Sequence, residues 1–286
     1  MYPAMTQEEI EEWLGHIPVF AVTDKKGSGV VLRPDNETSV FYFFMSPMMA
    51  NATLTQLQEA NQDLELQLSA FSLGKIWFKI LKANKDAEVQ IKAPNAVEGA
   101  DAEVVKGVEY RLVPDTRDLL GARMLLTMDP SDGEALKAGG TLTPEVAQAA
   151  IKKAMTSSPK FNSTYNEIPV FMIQQMRMVK QSPEGEKGKE PETLLPMYFN
   201  LQNMVSTWQQ FTAQSPEAKD VEPAINLMDL FELVEKMQEE SEIDFRNVIL
   251  IPPTNFASGG PAGNVPESPS AVSSQMSGVG QTLGDL

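Results

Sequence analysis

The sequence predicts an α+β fold made of two pseudo-symmetric repeats, each a small sheet packed against helices. Three observations predict it. Ile17-Pro18-Val19-Phe20 recurs letter for letter as Ile168-Pro169-Val170-Phe171. Three further blocks follow each copy in the same order. They pair Val40–Ser46 with Leu194–Asn200, Leu73–Trp77 with Leu227–Phe231, and Tyr110–Pro114 with Val248–Pro253. Within each copy, strand-like apolar runs give way to stretches with helical spacing. The repeat is far longer than a solenoid unit, so it implies two similar halves rather than an array. The boundaries expected are 1–127 for the first half, 128–166 for a linker and connecting helix, 167–256 for the second half and 257–286 for a disordered tail.

Thr6-Gln7-Glu8-Glu9 is a capping box, and Ile10, Trp13 and Leu14 share one face of the helix it opens. Gly15 ends that helix, and Val19–Val22 reads as a strand. Lys25–Gly29 forms a turn, and Val30–Leu32 returns as a second hairpin strand. Val40–Met45 is a continuous apolar run, the signature of a strand buried on both faces. Ser46-Pro47 opens a helix with Met48, Met49, Ala52, Leu57 and Ala60. Leu66–Ala70 alternates as a strand does. Leu73, Ile76, Trp77, Ile80 and Leu81 then mark an amphipathic helix. Residues 82–107 lack a periodic apolar pattern and read as a long exposed excursion. Tyr110–Val113 is a strand, and Asp115 caps a helix whose apolar residues are Leu119, Leu120, Met124 and Leu125.

Thr143-Pro144 starts the connecting helix, with Ala147, Ile151, Ala154 and Met155 as its apolar face. In the second copy the hairpin turn is read as expanded into the charged loop Ser182–Lys189. Beyond Pro253 the chain is rich in Gly, Pro and Ser and carries no Lys or Arg, too little apolar surface to order itself. Phe20, Phe43, Trp77, Phe171, Phe199 and Phe231 are the expected core aromatics.

Across its 286 residues the chain has a formal net charge of −16. That excludes the basic footprint by which proteins bind nucleic acid. It also disfavours an anionic membrane surface, and is compatible either with a basic partner or with acidity that only keeps the protein in solution. No apolar run approaches the roughly 20 residues that cross a bilayer. The N-terminal residues lack a secretory leader pattern, so any targeting segment is expected to be absent from this chain or removed. Cysteine is absent and His16 is the single histidine. Thiolate chemistry and Cys-ligated zinc are therefore excluded, and His16 reads as a structural residue at a helix-to-strand junction. Neither a phosphate-binding loop nor a nucleophile elbow occurs. No enzyme activity, cofactor or metal is expected.

Methionine is abundant, with 16 in the chain. The flexible, polarisable thioether either fills gaps in two imperfectly duplicated cores or serves a surface that binds varied apolar segments. The strand-to-helix junctions carry Met45, Met48 and Met49 in one half and Met197 and Met204 in the other. These five are the candidate client-binding residues, with Asn51, Gln56, Gln202 and Asn203 as a polar rim.

The order of these blocks gives a resemblance. An I-P-V-F strand, an aromatic strand-to-helix block, an L-x-x-[IL]-[WF] helix and a strand ending in Val-Pro or Ile-Pro-Pro, all duplicated, resemble the family of the 22 kDa subunit of the chloroplast inner-envelope translocon. The likeness covers about residues 10–253. It implies an α+β fold of two related halves, a place in the intermembrane space of the plastid envelope, and no cofactor. It further implies chaperone-like binding of preproteins with basic transit peptides, passed from the outer to the inner envelope translocon. A protein of this kind would be peripheral to the membrane at most. The alternative is a structural or assembly subunit stably docked in a larger plastid membrane complex.

Overall fold

In a computed structural model the described residues are 1–34, 37–62, 65–91, 103–105, 107–128, 144–179, 193–214 and 221–253. They form two compact units. The first holds Met1–Val113, Met237–Ile243 and the described residues from Leu250; the second holds Pro114–Lys236 and Asp244–Ile249. The 182–189 loop and the 257–286 tail lie outside the described residues, as does most of 128–143.

In the first unit, α1 (Gln7–Leu14) opens on the expected capping box: Glu9 N donates to Thr6 Oγ1 and Thr6 N to Glu9 Oε2. Its buried Ile10 and Leu14 face the interior. The sheet consists of β1 (Pro18–Asp24), β2 (Val40–Phe44), β3 (Leu66–Ser72) and β6 (Glu109–Val113), in the order β3-β1-β2-β6. β1 is antiparallel to both β2 and β3, and β2 is parallel to β6. Between β2 and β3 lies α2 (Pro47–Ala60). After β3, α3 (Leu73–Ile76) runs on as a π-helix, Trp77–Lys82. Phe43 and Phe71 meet edge to face at 5.8 Å, and Phe41 and Phe43 at 4.8 Å, a geometry that adds to area burial.

Two expectations change in this unit. Residues 82–107 are not simply an exposed excursion. Ala87 and Val89 are buried, and β4 (Val89–Ile91) pairs with β5 (Glu103–Val105) as an antiparallel ribbon. The stretch is too short in apolar residues to show a period, yet it closes over its ends. The return strand at Val30–Leu32 is also reduced to isolated bridges, Thr23 with Gly29 and Leu32 with Val40. Asp24 instead shapes the turn, its Oδ1 accepting from Lys26 N and Ser28 N at 2.8 Å each, with Gly27 at φ +84°.

The second unit holds α4 (Thr116–Thr127), α5 (Pro144–Ser157), β7 (Pro169–Ile173), β8 (Met178–Val179), β9 (Thr193–Tyr198), α6 (Leu201–Gln214), β10 (Ile225–Asp229) and α7 (Leu230–Met237). Its sheet runs β10-β7-β9-β11, where β11 is Val248–Ile251, and β8 pairs with the start of β9. The two sheets therefore share one connectivity, with β7, β9, β10 and β11 standing where β1, β2, β3 and β6 stand.

Register makes the correspondence residue by residue. Phe20 faces Phe44 across β1 and β2, and Phe171 faces Tyr198 across β7 and β9. Leu73 N donates to Ile17 O at 2.9 Å, and Leu230 N to Ile168 O at 2.9 Å. This pairs Leu73 with Leu230, three residues later than the block match to Leu227, which lies inside β10. Bridges also show Met178 opposite Leu194 where Leu32 stands opposite Val40. The charged loop therefore lies in sequence between β8 and β9, and is not an enlarged version of the Lys25–Gly29 turn. Of the six core aromatics, Phe43, Trp77, Phe171 and Phe199 are buried, whereas Phe20 and Phe231 are only half-buried.

Candidate functional site

Each strand-to-helix junction is built the same way. β2 delivers Phe43, Phe44 and Met45 before α2 starts at Pro47; β9 delivers Met197, Tyr198 and Phe199 before α6 starts at Leu201. The register makes Met45 equivalent to Phe199, and Phe43 equivalent to Met197. All four are buried, at 2–3% exposure. A methionine and a phenylalanine have exchanged places between the two halves, which keeps volume roughly constant in each core.

The same alignment pairs Ala50 with Met204, and both are fully buried. Thr53 Oγ1 donates back to Met49 O, and Thr207 Oγ1 to Asn203 O, so the first turns match in detail. Three of the five candidate residues are thus core: Met45, Met197 and Met204 do not reach the surface. Strand alternation and helix phase turn them inward, so the partly covered corner expected there is closed at these three residues. Met48 is 64% exposed and Met49 half-buried, so these two of the set are accessible. Of the expected rim, Asn51, Gln56 and Gln202 are exposed, while Asn203 is buried.

Around Met48, α2 is loosely seated. Ala50 is its single buried residue, Leu54 and Leu57 are half-buried, and Ala52 is exposed. Ser46, at its N-cap, makes no side-chain capping bond. α6 is held differently. Asn200 Oδ1 accepts from Asn203 N at 2.8 Å, while its amide donates to both Asp118 oxygens at 3.1 and 3.2 Å. Asp118 Oδ1 also accepts from Leu201 N at 3.0 Å. Burial pushes the Asp118 carboxyl up to about 6, against the pull of these donors.

Asp118 was not singled out from the sequence, and neither was Arg123. Both lie on the buried side of α4, where the apolar pattern suggested Leu120, Met124 and Leu125. Arg123 donates to Phe161 O and Asn162 O, and its Nη1 lies 3.1 Å from Met155 Sδ. A charged residue on a helix ordinarily reads as solvated; only partners 38 to 83 residues away in sequence make these two core. Asp229 plays a parallel part at the start of α7, accepting from Ile168 N, Phe231 N and Glu232 N. Its carboxyl is likewise raised by burial.

His16 sits at the end of α1, and its Nε2 donates to the Leu250 carbonyl at 2.8 Å, since a carbonyl only accepts. Among the described residues no group of three or more His, Asp or Glu side chains is placed to hold a metal ion. No helix among them is long and apolar enough to cross a membrane.

Two four-stranded paths of one connectivity, each carrying a helix after its second strand and another after its third, define a duplicated α+β class. Solved structures of Tic22 share this fold. Tic22 from Anabaena, a protein-transport protein, matches with a TM-score of 0.54 at 16% identity, covering 87% of this chain and 93% of its own. Tic22 from Plasmodium falciparum matches with a TM-score of 0.52 at 16% identity, covering 85% and 91%. No protein-family model matches the sequence, and no curated protein does.

Proposed function

We propose that this protein is a chaperone-like protein-import factor. It binds preproteins and passes them between the outer and inner translocons of the chloroplast envelope, in the intermembrane space. The observation that carries this reading is the Tic22 fold spanning 87% of the chain, shared with a protein-transport protein. Two physical features support it. A net charge of −16 attracts transit peptides, which are basic and poor in acidic residues. The exposed side of α2 offers Met48 and Met49 within a helix whose only charged residue is Glu59. Charge depletion with methionine enrichment is the composition of an interface centre.

In this reading Met48 and Met49 touch the client. Met45 is core in the same half, and Met197 and Met204 are core in the other. Binding is weak and quickly reversed, as a hand-over factor requires.

The test is suppression of client aggregation without ATP, alongside capture of a basic transit-peptide preprotein. Met48→Ser with Met49→Ser should weaken client holding by about 1–3 kcal/mol, the transfer value of one or two such side chains. Capture that ignores this double change, in a protein of unaltered melting temperature, places the client elsewhere. Co-purification with one partner in fixed stoichiometry, and no transient client, identifies a docked structural subunit instead.

A further inference from the structure

The acidity of the chain is not uniform. Leu73–Lys85 carries four lysines, Lys75, Lys79, Lys82 and Lys85, and no carboxylate, in a protein where Asp and Glu outnumber Lys and Arg 39 to 23. α3 and its π-helical extension sort these residues by face. Leu73, Ile76, Trp77, Ile80 and Leu81 are buried, while Lys75, Lys79 and Lys82 are exposed along the opposite side. Lys85, in the short helical turn that follows, is 63% exposed and lies 3.5 Å from Glu109. Lys75 and Lys79 form no ion pair with a described residue. Lys75 and Lys79 therefore present their ammonium groups to solvent on a helix anchored by its buried face, with Lys82 exposed next along it.

We infer that this lysine row is a docking surface for an acidic polypeptide segment, a partner separate from the basic client of the α2 surface. The charge is complementary. Alternate side chains of an extended peptide project from one face about 7 Å apart, so an acidic segment in that conformation can reach successive exposed lysines with its carboxylates.

The surroundings favour a slender peptide over a bilayer. α1 crosses α3 where Gly74 lies against the Glu11 carbonyl, so close that a Cβ there would collide with it. Glu8 and Glu12 on α1 are exposed, and Asp86 and Glu88 follow the row at its far end. The apolar residues between the lysines are buried except for half-buried Phe78, so the row has no wedge to insert into lipid.

The experiment uses the full chain, a fluorescein-labelled octaglutamate as probe, and anisotropy at low ionic strength. The wild type should bind and lose the probe as salt rises. Lys75→Glu, Lys79→Glu and Lys82→Glu together should cut affinity about tenfold or more, the joint loss for three exposed ion pairs. Lys152→Glu with Lys153→Glu, on the exposed side of α5, should leave binding unchanged. Circular dichroism of each variant keeps misfolding apart from lost docking. The inference is overturned if the wild type does not bind, or if the α5 pair matters as much as the row. It is also overturned if phosphatidylglycerol vesicles, rather than the peptide, bind in a row-dependent manner. None of these outcomes depends on client capture, which is read with the α2 variants.

Discussion

α2 and α6 occupy one position in two copies of one motif, yet they are anchored very differently. α2 buries Ala50 alone and starts at a serine that caps nothing. α6 buries Asn203, Met204 and Trp208 and starts at an asparagine clamped by Asp118. The matched bonds from the Thr53 and Thr207 hydroxyls to the Met49 and Asn203 carbonyls show that each helix keeps the same register within its repeat. Side-chain size decided the outcome: Leu54 stands where Trp208 does, and Ala50 where Met204 does. Duplication preserved the path of the chain, and divergence made one helix a pillar and the other a surface element with accessible methionines.

The largest effect that can break this comparison is at Met204. Met204→Ala should cost about 2–5 kcal/mol, because a fully buried side chain leaves a cavity that rigid neighbours cannot fill. Met48→Ala, at the exposed end of α2, should cost less than about 0.5 kcal/mol. Chemical denaturation of the two variants measures both; equal losses would remove the distinction between pillar and surface.

Asp118 sharpens it next. Its carboxyl is raised from 3.8 to about 6 in the folded protein. The folded state therefore holds a proton that the unfolded chain has released, and this contribution is complete below about pH 4 and lost as pH rises through about 6. The difference is on the order of 3 kcal/mol. Asp118→Asn should flatten stability across that window relative to wild type, as read by urea midpoints at several pH values. Parallel curves for the two proteins would show that the carboxyl does not titrate there.

The smallest effect lies at the caps. Asn200→Ala should lose about 1–2 kcal/mol, with the capping bond to Asn203 N and the partner of Asp118 both removed. Ser46→Ala should lose little, because no capping bond exists to remove. Thermal melts of the pair settle whether the two helix starts differ as their hydrogen bonds indicate.

Much of this architecture was legible in the sequence. The I-P-V-F strands, the Thr6 capping box and the doubly buried β2 follow from local pattern alone. The third block was misaligned by three residues because Leu227 and Leu230 both continue an apolar pattern; only the bond from Leu230 N to Ile168 O fixes the start of α7. The accessible methionines were half legible. Sequence places Met45 and Met48 side by side, but one ends a strand with its side chain inward and the other begins a helix facing out. Asp118 and Arg123 could not be read as core, because their partners at Asn200, Leu201, Phe161 and Asn162 are distant in sequence. The lysine row was visible letter by letter but masked by an overall charge of opposite sign.

The first unit is not a continuous piece of chain. Tyr2 and Ser241 exchange backbone bonds of 2.7 and 3.1 Å, and Met5 N donates to Met237 O at 2.8 Å. During synthesis the N-terminal residues emerge first but cannot make these contacts until some 240 residues have followed. At about 5–20 residues per second that delay is roughly 10–50 seconds. The second unit is almost complete before then, since all of it except Asp244–Ile249 precedes Met237. The nascent chain therefore finishes its two units in the reverse of the order in which it begins them. A stop codon shortly before Met237 would leave the earliest-made segment without its partners.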